Sequence, residues 1–71
     1  MITAKEIGQK ISDAIKLSGK TQTEIAKQLG VSQQMISSYL HQEKFPSIEN
    51  LANLCVILDL DANDILCLNK F

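Results

Sequence analysis

Residues 22–41 read QTEIAKQLGVSQQMISSYLH, and the reading of these residues decides the fold. The stretch is two short helices joined at Gly30. Ile25 and Leu29 of the first and Ile36 and Tyr39 of the second fall on inward faces, together with Val31 between them. Ala26 sits where the helices cross, a place where a larger side chain would push them apart. Gly30 supplies a left-handed turn, and Ser32 restarts the chain as a helix within two residues. A tight connection of this kind fixes two helices at a steep angle.

Outward from this pair, the chain is punctuated by further helix starts. Thr3-x-x-Glu6 and Thr21-x-x-Glu24 are capping boxes, in which hydroxyl and carboxylate satisfy free backbone amides reciprocally. Ser32, Ser47 and Asp61 each stand as a cap before a helical run. Apolar pairs flank four of the five starts at staple spacing: Ile2 with Ile7, Val31 with Ile36, Pro46 with Leu51, and Leu60 with Ile65. Stops fall at Gly19, Gly30, the segment 41–46 and Asp59. Helical periodicity puts Ile7, Ile11, Ala14 and Ile15 on one face of the first helix, and Ile48, Leu51, Leu54, Cys55 and Leu58 on one face of the fourth. The expectation is a single all-α domain over 1–71, with helices near 4–18, 22–29, 33–41, 48–58 and 62–67.

Seventy-one residues allow one modest core. A hydrophobic content of 45% excludes a disordered chain. No apolar run reaches the ~18 residues of a membrane span. Residues 1–20 form an amphipathic pattern with lysines inside it rather than a signal peptide, so a cytoplasmic protein is expected. Cys55 and Cys67, with one histidine, do not make a metal site, and read as small buried thiols in a reducing compartment. No cofactor is expected. A net charge of −1 argues weakly against a polyanionic partner, but the charge is unevenly spread. Residues 1–48 hold six lysines against four acids, and residues 49–71 hold one lysine against four acids. There is no arginine. Nothing pairs a nucleophile with a base or cradles a phosphate in a glycine loop, and Glu24 and Asp64 are explained as helix-start residues, so an enzyme is not expected.

The spacing of Ile25, Ala26, Leu29, Gly30, Val31, Ile36 and Tyr39 resembles the helix-turn-helix of the phage-repressor and Cro-like family. The likeness continues through Phe45-Pro46-Ser47, then Leu51, Leu54, Cys55 and Leu58, and finally residues 61–66, and so covers roughly 5–68. It implies a five-helix repressor-like domain that binds double-stranded operator DNA, commonly as a homodimer. The second helix of such a motif enters the major groove with its N-terminal residues facing base edges. Gln33, Gln34, Ser37 and Ser38 face away from Ile36 and Tyr39, and glutamine can pair bidentately with adenine. Gln33, Gln34 and Ser38 also fall where the family places base-reading residues. The alternative is that the glutamines are simply solvated. Without arginine to read guanine, A·T-weighted recognition is expected. Met35 serves either a thymine methyl or the edge of the core.

Phosphate contacts are expected from helix starts and polar neighbours, namely Thr21, Gln22 and Lys44, with Lys27, Gln42 and His41 as weaker candidates. The resemblance gives a phosphate to Gln22 and a loop cation to Lys44. Three departures from the family stand out. Lys20 occupies a commonly apolar position. Gln42 replaces a common glycine, which predicts a different path for the following loop. Where relatives pair an arginine with a glutamate, this chain has Ile15 and Leu40, which are expected to pack on each other. Ile65, Leu66, Leu68 and Phe71 supply more apolar surface than one short helix hides; part of it is expected to be ordinary core, and the excess suits a dimer interface. A monomer, or contact with a toxin or other protein partner as in an antitoxin of the same fold, is the alternative.

Overall fold

Each of the five expected starts is an N-cap in the computed structural model, which describes residues 1–68. The helices are α1 (Ala4–Leu17), α2 (Gln22–Leu29), α3 (Gln33–Leu40), α4 (Ile48–Ile57) and α5 (Ala62–Ile65), with no strand among the described residues. Thr3 Oγ1 accepts from the Glu6 amide at 3.2 Å. Thr21 and Glu24 close both halves of a capping box at 3.1 and 3.3 Å. Ser32, Ser47 and Asp61 accept from the amides of Met35, Asn50 and Asn63 at 3.2, 3.1 and 2.9 Å. These bonds satisfy amides that a helix start otherwise leaves without a partner.

The ends were less legible than the starts. α1, α3 and α4 close one residue before the expected boundary, and α5 closes at Ile65 rather than 67. Gly19 and Gly30 take the left-handed conformation as expected, and so does Asp59 at φ 53°. Gln42 at φ 61° and Cys67 at φ 63° join them. The ends of α3 and α4 share one construction. The Glu43 amide reaches back to Ser38 O and the Gln42 amide to Tyr39 O, while the amides of Leu60 and Asp59 reach Cys55 O and Val56 O. This is the Schellman arrangement, built at a non-glycine residue in both places. Cys67 turns the chain left-handed just after α5, which cuts that helix short.

The core gathers Ile11 and Ile15 of α1, Ile25 and Ala26 of α2, Ile36 and Tyr39 of α3, Leu54 of α4 and Ile65 of α5. Ile25 and Ile36, the innermost pair of the opening stretch, are wholly buried. Each contributes about 1.5–3 kcal/mol by leaving water. α3 packs on both α1 and α2, α4 packs on α2, and α5 packs on α1. Leu40 packs against the cluster that contains Ile15. Ile48 departs from the expected core: it opens α4 and is 90% exposed, because the buried stripe of that helix runs through Leu54 with Leu51, Cys55 and Leu58 against it. Lys20 is accommodated by turning its amine outward from the core. Nζ donates to Gln28 Oε1 at 3.0 Å and to the Ile57 carbonyl at 3.3 Å, placing a cation at the C-terminal end of α4, where the helix dipole favours it.

Candidate nucleic-acid interface

α3 is held from behind and left free in front. Ile36 and Tyr39 anchor its rear face in the core, and the Tyr39 hydroxyl accepts from Asn50 Nδ2 at 3.4 Å. On the opposite side Gln33 and Gln34 are exposed, and no hydrogen bond engages either side-chain amide. Ser37 and Ser38 are half-buried one turn further on. Ser38 Oγ donates to Gln34 O at 3.0 Å, so its lone pairs stay free to accept. Ser37 Oγ lies 3.4 Å from His41 Nδ1, and that ring nitrogen is 2.8 Å from Ser37 O. His41 is thereby folded back on its own helix.

The structure brings Gln34, Ser38 and Lys44 together around one polar recess, completed by Ser32 and Met35. Gln33 and Ser37 are outside that lining. Met35 packs against the core on one side and lines the recess on the other. Thr21 is committed to capping α2, Gln22 is the half-buried first residue of that helix, and Lys27 is exposed near its end. Gln42 is exposed, but its side-chain nitrogen is engaged with Gln9 Oε1 at 3.1 Å. All the basic side chains are lysines.

The path of the loop after α3 answers the question raised by Gln42. Gln42 adopts the left-handed backbone conformation that a glycine would take, so the turn is kept rather than rerouted. The loop is then pinned to α1. The Phe45 ring lies over Gly8, where an added Cβ would come within 2.9 Å of Cε1. Lys44 stands between these two attachments.

Three residues that shape the site carried no signal that was read from sequence. Ser12 is the only fully buried polar residue among those described, and Oγ donates to the Leu40 carbonyl at 2.7 Å. Its position between Ile11 and Ile15 on the apolar face of α1 was the available clue. Gly8 and Asn50 act through neighbours distant in sequence, Phe45 and Tyr39.

At the C-terminal end, Ile65 is 2% exposed and belongs to the core, so its expected place in a partner interface is corrected: α5 needs it to hold α1. Leu66 is half-buried along an apolar groove with Ile48, Leu51, Ala52, Cys55 and Ala62, and Leu68 is 46% exposed. Phe71 lies outside the described residues. No group of His, Cys, Asp or Glu residues among those described could hold a metal ion, and no described helix is long and apolar enough to cross a membrane.

A short helix standing clear of the core, anchored from behind and joined at a glycine turn to the helix that buttresses it, defines the helix-turn-helix class of DNA-binding proteins. A helix-turn-helix family model matches residues 11–65, and the chain belongs to the Cro-like branch of that family, whose members are DNA-binding regulators of transcription. Among characterised proteins it is similar to the ImmF control region 10 kDa protein of Bacillus phage phi105, with 33% identity over 63 residues, 89% of this chain and 70% of the relative. No solved structure matches at a comparable level of significance.

Proposed function

We propose that this protein is a sequence-specific repressor that lays α3 in the major groove of an operator and acts by occluding a promoter. The observation that carries the reading is the pair of exposed, unengaged amides of Gln33 and Gln34 at the start of a helix whose other face is locked into the core. Each amide offers a donor and an acceptor, the pattern that adenine presents in reverse at N7 and N6. Ser37 and Ser38 extend the base-facing surface by one turn. Lys44 supplies phosphate charge beside it, with Thr21, Gln22 and Lys27 at α2, and Gln42 adds a polar edge. The similarity to a phage control-region protein agrees with a regulatory role. The protein works by recognition, without a catalytic step, cofactor or metal.

Two copies would read a two-fold operator, with their α3 helices about 34 Å apart on one face of the duplex. Leu66 and Leu68, beside the apolar groove between α4 and α5, support a self-association surface there. The same groove is the feature that favours the second reading, an antitoxin or similar module that binds a different protein.

Selection of bound duplexes from a random pool tests the first reading directly. The parent should enrich an A·T-weighted site. Gln33→Ala and Gln34→Ala should each lose about 1–3 kcal/mol of discrimination at separate base positions. Lys44→Ala should weaken all sequences alike and flatten the dependence on salt. A parent that enriches nothing removes the proposal.

A further inference from the structure

The last turn of α3 leaves one carbonyl for another part of the chain to satisfy. Ser37 O accepts from the His41 amide, Ser38 O from Glu43, and Tyr39 O from Gln42. Leu40 O, next in line, accepts instead from the hydroxyl of Ser12 on α1, at 2.7 Å. The donor has no exposed surface at all, so water has no access to replace it. A helix end whose final carbonyl is taken by a buried donor on a different helix is fixed in rotation and in tilt, because the bond is directional and both groups lie within packed elements.

We propose that Ser12 is a positioning residue for DNA recognition: its bond to Leu40 O sets the angle at which α3 presents Gln33 and Gln34, and the place from which Lys44 leaves the following loop. The inference rests on the DNA-binding reading above. Two further attachments between α1 and the same loop, Gln9 with Gln42 and Gly8 with Phe45, make α1 the frame against which the reading head is aimed. Gln9, Gln42 and Phe45 are exposed, and neither attachment is a short directional bond from a buried donor. Ser12 is therefore where the aim is decided.

The experiment compares Ser12→Ala with the parent and with Ser12→Thr, which keeps the hydroxyl, at a temperature where all are folded. One readout is the ratio of affinity for the selected site to affinity for scrambled duplex, taken over a range of salt. Loss of the bond should lower that ratio by about three- to tenfold. Affinity for scrambled duplex should fall by less than affinity for the selected site, since Lys44 keeps its charge, and Ser12→Thr should recover most of the ratio. The second readout needs no DNA: backbone amide shifts of the free protein should move at residues 33–38 and at Lys44, as well as at 39–41. A variant that melts earlier yet keeps the parent's ratio, with shifts confined to 39–41, overturns the proposal and leaves Ser12 a purely structural group. Ser12→Cys, nearly the same size and a far weaker donor, gives the same comparison if the alanine variant does not fold. A parent without site preference would defeat the function proposed above, while the amide shifts would still decide the role of Ser12.

Discussion

Gln42 occupies a backbone region that suits glycine, at φ 61°, and closes the Schellman turn after α3. A side chain in that region costs roughly 1–2 kcal/mol, against about 0.5–1 kcal/mol for the extra freedom that glycine loses on folding. The bond from Gln42 to Gln9 joins two exposed amides and offsets little of the difference. Gln42→Gly should therefore raise stability by up to about 1 kcal/mol. Thermal melts check it, and a variant less stable than the parent would mean that the bond to Gln9 matters more than the backbone. At Cys55, burial pushes the thiol up from its ordinary pKa, and the nearby Asp61 charge acts in the same sense. The folded state thus holds its proton more tightly than the unfolded chain does. Stability is fully present below the ordinary thiol range and is lost as pH rises through the raised value. Melts of the parent should decline on the alkaline side more steeply than those of Cys55→Ala. Equal slopes would remove Cys55 from the alkaline response.

At the level of helices, the packing of α1 on α3 is the junction most informative to break. Ile15 is 4% exposed in the core, and Leu40 lies against the same cluster. Ile15→Arg would bury a cation with no partner, and should cost about 3–5 kcal/mol. Adding Leu40→Glu should recover part of that loss, since a paired buried charge is less costly than a lone one. Melts of the two singles and the double measure the coupling, and an Ile15→Arg protein as stable as the parent would show that the arginine escapes to solvent. The same helices explain what could be read from sequence. Starts were legible because Thr3, Thr21, Ser32, Ser47 and Asp61 act on amides two or three residues away, and that spacing is written in the chain. The inward stripe of α2 and α3 was legible for the same reason, as was the outward placement of Gln33 and Gln34. The ends at Gln42 and Cys67 were hidden because the residues there are not glycine, and their left-handed backbone depends on tertiary support. Ser12 and Leu40 are 28 residues apart, and no local pattern announces a bond across that separation. Ile65 was misassigned because periodicity marks a residue as apolar without saying whether α1 or a partner will cover it.

For the whole molecule, charge and apolar surface fall at different ends of the chain. Residues 1–48, which hold α2, α3 and Lys44, carry six lysines against four acids, and residues 49–71 carry one lysine against four acids. Phosphate attraction therefore acts on one part of the protein, while the other keeps an apolar groove between α4 and α5. Ile48 at the edge of that groove is 90% exposed, and Leu68 is 46% exposed. Neither supports the core of a single copy, so a charge placed at either should leave the fold intact, with a change in melting free energy within about 0.5 kcal/mol. If two copies meet through this face, Ile48→Asp and Leu68→Asp would each bury an unpaired carboxylate at the contact, which strongly disfavours association. Sedimentation at micromolar concentration should show a dimer for the parent and a monomer for either variant. On a two-fold operator the variants should then lose far more affinity than on an isolated half-site, because the second contact is no longer delivered by the first. Binding to both targets weakened in equal measure would place Ile48 and Leu68 outside the association surface, even with α3 reading DNA as proposed.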